Sequence, residues 1–510
     1  MSQANRAMTM RSATNSALAA LVAAGLLGLV GCGTSSGTID PAVDPTTMDV
    51  LKTGGGTALS KEAAGLFKKG SEAMVQHDRA GDWSDALCDD IASMFKRAAD
   101  EQSDGKFHEA LYNSGVAQQR CKNDAKARAT FDELLGKEPK FHRARVQVAL
   151  YEFIASGQKD VEKAIGEMNQ AVTDAQFKNE EALVHLAMLQ MMRDNDVSDD
   201  DGANDFERAK SNLQRALAIN DSYMSAFNQL AIYYLEMAKK KALGEKAPKG
   251  KRRRGIAVAS EDKKKADSQA LELAALVCSQ AIRKNPNYAP IYNTMGLISA
   301  ELGDLSQSAQ SFGKARALDA KFFEAHMNYA AVNLQFRGFE QAEDAYRKAL
   351  GEKSNDFEAH LGLALALRGQ ITDANFDSQI AAVAKELDAA RKIDGDRPET
   401  YYNDAILTQE YKSKTLDQAK VEGILEQSKT LFRDFLAKAT GKDEYADAAK
   451  RAEERIKEID DVIKFTRETR EMEKKTPPAA APAPGGANGT PPAEGKPEAG
   501  ASAATPPTNG

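Results

Sequence analysis

The chain has 510 residues, 42% hydrophobic, 6% aromatic and 28% charged, with a net charge of −7 at pH 7. Alanine, leucine, lysine and glutamate dominate its middle, and runs of Val, Ile and Thr with period-two alternation are nearly absent, which excludes a sheet-based fold and predicts an all-α chain. At roughly 150 residues per domain the length would hold about three ordinary domains, but the two ends are not globular in composition and the centre repeats.

In chain order, Arg6 and Arg11 precede an apolar stretch from Ala17 to Gly31. A membrane span takes about 20 apolar residues, so a basic start with this shorter core reads as a secretory signal. The stretch closes on Leu29-Val30-Gly31-Cys32. That ending resembles the bacterial lipobox, and the resemblance implies a lipoprotein signal peptide over residues 1–31, cleaved before Cys32. It also implies a diacylglycerol on the Cys32 sulfur and an acyl chain such as palmitate on the new amine. Several acyl chains anchor a protein stably where one would not. Gly33 in place of aspartate implies, by the same sorting rules, the outer membrane with the chain facing the periplasm. The alternative is an ordinary secretory signal in which Cys32 is incidental.

Residues 32–59, with the triplet Gly54-Gly55-Gly56, are rich in Gly, Ser, Thr and Pro. Such a segment cannot bury enough apolar surface to offset its chain entropy and reads as a tether. Ala64 to Val75 and Trp83 to Ala98 then predict an N-terminal helical pair within residues 60–107.

A repeat occupies residues 108–440. Tyr292, Met295, Gly296 and Ser299 are followed by Ser308, Phe312, Ala315 and Ala320. One period later come His326, Tyr329, Ala330 and Asn333, then Ala342, Tyr346 and Ala349, an offset of 34 (326 − 292). Small residues at Gly296, Ala330 and Ala231 would let two antiparallel helices approach, with Phe312 or Tyr346 filling the space beside them. Looser copies begin at Tyr112, Arg145, Leu183, Phe227, His360 and Tyr402. Two insertions interrupt the array, an acidic one from Asp194 to Asp205 and a basic one over residues 239–265. The spacing of Ala449, Ala452, Ile456, Ile459 and Ile463 predicts a charged capping helix within residues 441–475. From Thr476 to the last residue the sequence is Pro/Ala/Gly-rich, the composition of a disordered tail.

Motifs for chemistry are missing. None of the six histidines sits in HExxH or beside a cysteine pair at zinc spacing, and there is no phosphate loop, no GxSxG and no glycine fingerprint after a strand. The expectation is a binding protein with no catalytic residue, metal or cofactor. Cys278 takes the bulky core position of a second helix. Cys88 lies early in one predicted helix and Cys121 late in the next, so antiparallel packing would set them side by side. In an oxidising compartment that invites a disulfide; two separate buried thiols are the other possibility.

Asn113, Asn228, Asn293 and Asn403 each follow the aromatic that opens a first helix. An amide both donates and accepts, so a ladder of them could hold the backbone of an extended peptide. Leu297, Met327, Leu334, Leu361 and Leu365 would be apolar neighbours in the same groove. The other reading is that asparagine there is simply the usage of the repeat. The run Lys251-Arg252-Arg253-Arg254 is the strongest local charge excess, either an electrostatic docking arm or a solvated insertion.

The 34-residue pattern resembles the tetratricopeptide repeat, whose fold is a superhelical solenoid of antiparallel helix pairs with a peptide-binding concave face. With the lipobox, the chain is similar to tetratricopeptide outer-membrane lipoproteins, among them those of the myxobacterial adventurous gliding machinery. That resemblance implies a scaffold or adaptor that assembles an envelope protein machine for gliding motility. Its partners would be other envelope proteins of motility or secretion complexes and, through the anchor, the membrane. Export argues against nucleic acid. Two other roles stay open: a pilotin-like lipoprotein for secretin or type IV pilus assembly, and an adaptor for peptidoglycan hydrolases.

Overall fold

The computed structural model describes residue 53 and residues 57–102, 105–195, 203–243, 268–414 and 418–475. Cys32, the run Lys251 to Arg254, the signal peptide and the Pro-rich tail lie outside the described residues. Among the described residues there are nineteen α-helices, three short 3-10 turns and no strand.

The first two helices are α1 (Lys61–Ala80) and α2 (Asp85–Asp100). The array follows as α3 (His108–Arg120) with α4 (Asp124–Lys137), α5 (His142–Ala155) with α6 (Val161–Asp174), and α7 (Glu180–Arg193) with α8 (Asp205–Ile219). It continues through α9 (Met224–Leu243) and α10 (Ser268–Lys284), α11 (Ala289–Glu301) and α12 (Leu305–Leu318), and α13 (Phe323–Phe336) and α14 (Phe339–Glu352). The last pairs are α15 (Phe357–Gly369) with α16 (Phe376–Ile393) and α17 (Glu399–Glu410) with α18 (Gln418–Ala439), followed by α19 (Ala446–Lys475). From α1 to α18 each helix packs on the next, and first helices of successive pairs also touch, as α7 does α9 and α13 does α15. This is a tetratricopeptide-type α-solenoid. Its described residues run to Ile456, and Lys457 to Lys475, the C-terminal part of α19, belong to a second unit.

Side-chain sizes explain the pairing. A Cβ placed on Gly296 of α11 would lie 2.5 Å from Phe312 of α12, and one on Gly115 of α3 would collide with Phe131 of α4. Only glycine lets those rings lie flat on the helix backbone. Tyr346 of α14 reaches further than the sequence pattern indicated and lies on Gly362 in the following pair. An apolar core so built runs continuously from Val146 to Leu407, and a second fills the N-terminal helices from Ala63 to Ala144.

One boundary differs from the sequence expectation. Lys239 and Lys240, assigned there to the basic insertion, belong to α9, which continues to Leu243. Lysine is a good helix former, and no breaker intervenes before Gly244. Both side chains also find fixed partners. Lys239 pairs with Glu236 at 3.2 Å and lies 3.9 Å from Glu301. The Lys240 ammonium pairs with Asp194 and lies 3.7 Å from the centre of the Phe206 ring.

Candidate functional site

First helices carry the residues expected at a groove surface, and the structure places those residues in the interior instead. Asn113, Asn228, Asn293 and Asn403 are at most 7% exposed. The Asn228 carbonyl oxygen accepts a hydrogen bond from the Thr294 hydroxyl at 2.7 Å, tying α9 to α11. Asn293 accepts one from the Asn328 amide at 2.8 Å, tying α11 to α13. Arg368 of α15 donates to Asn403 of α17 at 3.0 Å, and the Asn403 amide donates back to the Glu399 carbonyl. Three members of the expected ladder, Asn228, Asn293 and Asn403, are thus ties between successive repeats. Leu297, Met327, Leu334, Leu361 and Leu365 differ from the expectation in the same way, being buried in the continuous core. A first helix lies between its own second helix and the first helices on either side, so the face shared by i and i+4 positions is covered by neighbours.

A second polar ladder, absent from the sequence reading, joins the N-terminal pairs. The Gln119 amide donates to the Gln147 carbonyl oxygen at 2.9 Å, and the Gln147 amide donates to the Glu181 carboxylate at 2.8 Å. Gln119 also donates to the Tyr151 hydroxyl, which donates to Asp124. Burial pushes the Tyr151 phenol well above its usual range. Glutamine and glutamate recurring inside otherwise apolar first helices are the signal that could have found it.

A third arrangement is written twice. Phe323-Glu324-Ala325-His326 opens α13, and Phe357-Glu358-Ala359-His360 opens α15. In each, a cation from the turn after the second helix sits between ring and carboxylate. Lys353 lies 4.0 Å from the Phe323 ring centre and 3.3 Å from Glu324; Arg397 lies 4.0 Å from the Phe357 ring centre and 2.5 Å from Glu358. The first turn of a helix favours negative charge, and a cation over an aromatic face completes the clamp. Arg397 also grips Glu399, which accepts a 2.6 Å bond from the Tyr445 hydroxyl. Burial works against the Glu399 charge, but Arg397 and Tyr445 hold its carboxyl below the ordinary range. Glu358 goes the other way. Burial outweighs Arg397 and raises its carboxyl to about 7, and its second oxygen has no hydrogen-bond partner.

The histidines serve the frame. His326 bonds the Ala320 carbonyl through Nε2 at 2.8 Å and receives the Arg316 guanidinium on Nδ1 at 2.8 Å, which fixes the neutral Nε2–H tautomer. Burial lowers its pKa. Burial also lowers His185, to about 4. The sulfur atoms of Cys88 and Cys121 are 1.98 Å apart in a disulfide, with the Cα atoms 6.3 Å apart. Cys278 is a free thiol in the core, and burial pushes its pKa up. Among the described residues, no group of three His, Cys, Asp or Glu could hold a metal ion, and no helix is long and apolar enough to cross a membrane.

Comparison with known proteins adds little beyond this frame. No family model matches the chain. Superkiller protein 3 of Schizosaccharomyces pombe is 33% identical over 78 residues, 15% of this chain and 6% of that protein. Among solved structures, a thermophilic tetratricopeptide protein of Thermus thermophilus is 23% identical, covers 44% of this chain and 99% of its own, and superposes with a TM-score of 0.34. The hetero-tetramer of Cut9 and Hcn1 is 13% identical over 66% of this chain and 54% of that one, with a TM-score of 0.44. Pseudomonas aeruginosa pilF is 14% identical over 55% of this chain and all of its own, with a TM-score of 0.36. The fold assignment rests on the helix pairing and the 34-residue period of this chain itself.

Proposed function

We propose that the chain is a protein–protein scaffold of the bacterial envelope, held on the periplasmic side of an outer membrane by lipid on Cys32. It would assemble the components of a multiprotein machine, with gliding motility the process its sequence resemblance favours. The observation that carries the scaffold reading is the array itself. Successive helix pairs stack on one continuous core, an architecture that spends its residues on extended surface. The Cys88–Cys121 disulfide supports an oxidising compartment, because such bonds persist outside the reducing cytosol.

Fractionation of envelopes from cells expressing the wild type and Cys32→Ser tests the anchor. The wild type should sediment with outer membrane, and the variant should leave it, because the apolar core of the signal is too short to hold the protein once cleaved. A variant that stays in the outer membrane at wild-type mass overturns the lipid anchor. Crosslinking and pull-down of the lipidated protein then tests the scaffold role, which predicts recovery of several envelope proteins dependent on the folded array.

A further inference from the structure

The last repeat gathers guanidinium groups that the frame leaves without an ion pair. Arg368, at the end of α15, donates Nη1 to the Asn403 side-chain oxygen at 3.0 Å, and among the described residues no carboxylate bonds it. Burial holds it below the usual guanidinium range. Arg451 of α19 is partly buried and makes no hydrogen bond or ion pair among the described residues. Arg455, one turn further on the same face, is engaged: it donates to Glu410 and to the Gln409 side-chain oxygen of α17, each at 2.8 Å. All of these residues precede Ile456 and so belong to the unit of the array.

These groups surround Tyr402 of α17. Its ring packs on Phe432 and Phe435 of α18, and its hydroxyl makes no hydrogen bond among the described residues. Burial raises the phenol, while the charges of Arg455, Arg451 and Arg368 act to lower it and that of Glu410 to raise it. Charges act on one another over about 10 Å at moderate salt, so three guanidiniums and one carboxylate share this neighbourhood. Asp447 and Glu454 stand within a turn of Arg451, but both are exposed and neither bonds it. With Glu410 taken by Arg455, Arg368 and Arg451 keep their charges uncompensated, which costs stability in a half-buried place unless an anion comes to them. The donors left open are Nε and Nη2 of Arg368, the fork of Arg451 and the Tyr402 hydroxyl, and they come from three different helices. A single carboxylate is planar and would leave one positive charge over. A phosphate group brings about two charges and three acceptor oxygens, which guanidinium forks approaching from several sides can share. We infer that Arg368, Tyr402 and Arg451 form a binding site for a phosphate group at the C-terminal end of the array, beside the Arg455–Glu410 pair. The inference stands independently of the scaffold role and of the lipid anchor.

Titration calorimetry on the full-length chain tests it at about pH 8, where phosphate is doubly charged. The probes are inorganic phosphate, glycerol 3-phosphate and acetate. Inorganic phosphate should bind about tenfold or more tightly than acetate, with an affinity that falls as salt is added. Arg451→Gln should weaken phosphate binding by about tenfold. Its circular dichroism and its melting without phosphate should match the wild type, because the side chain has no fixed partner to lose. Arg368→Gln should weaken binding similarly, and Tyr402→Phe, which removes only the hydroxyl, by a smaller factor. Glycerol 3-phosphate separates the sources of the group. If it binds as tightly as inorganic phosphate, the site takes an esterified phosphate such as a lipid headgroup carries; if it is refused, the ligand is the free ion. Acetate binding as tight as phosphate overturns the proposal, as does a wild type that binds no phosphate or an Arg451→Gln chain that binds it undiminished.

Discussion

Glu358 shows how a buried charge in this array acts against stability. Its carboxyl ordinarily titrates near 4.5 and in the folded chain is raised by burial to about 7. The folded state therefore binds the proton more tightly than the unfolded one. The resulting stabilisation is full below pH 4.5 and is lost as pH rises through 7. Glu358→Gln should remove that slope. In urea unfolding at pH 5 and pH 8, the variant should gain on the wild type at pH 8 by on the order of 2 kcal/mol and lose most of that advantage at pH 5. Arg397 remains paired with Glu399 in the variant, so the guanidinium is not left bare. A wild type and variant that change in parallel between the two pH values would show that Arg397 keeps Glu358 charged throughout.

At the scale of the element, the asparagine ties predict a cost where the sequence indicated little. Asn293→Ala removes the acceptor of the buried Asn328 amide and should destabilise the chain by about 1–3 kcal/mol. Adding Asn328→Ala should then cost less than its own single effect, a coupling measurable by a double-mutant cycle in urea. The sequence made the helix pairs legible, because Gly296, Phe312 and Ala315 record a contact internal to one pair, and the following copy records it again. It did not show what covers a first helix. The spacing of Leu361 and Leu365 establishes that they share a face, while the neighbouring helix that buries that face is set by the stacking of separate pairs. The clamps were half legible for a related reason. Phe323-Glu324 and Phe357-Glu358 keep the 34-residue register, but their cations do not: Lys353 follows Phe323 by 30 residues (353 − 323) and Arg397 follows Phe357 by 40 (397 − 357). A longer connection between α15 and α16, a longer α16 and a longer turn after it together move the second cation out of period.

Across the whole molecule, stacked repeats are held by nearest-neighbour contacts, so stability is local and can differ along the chain. The disulfide closes a loop with a sequence separation of 33 between α2 and the end of α3. In the chain-entropy account a loop of that length contributes about 3–4 kcal/mol. Replacing Cys88 and Cys121 by serine should therefore speed hydrogen exchange in α1 to α4 and leave the amides of α11 to α16 unchanged. Uniform loss of protection along the chain would instead mean that the array unfolds as one body. The two aromatic-carboxylate clamps carry a consequence for where a repeat ends. Each seals the opening turn of its pair with a residue that lies beyond the second helix: Lys353 is the first residue after α14, and Arg397 lies past α16. A piece cut at a helix terminus would keep both cylinders and lose the cation of the clamp, whereas one cut a few residues later keeps it. For these two pairs the boundary of a repeat thus lies after the turn that leaves the second helix, not at the helix terminus.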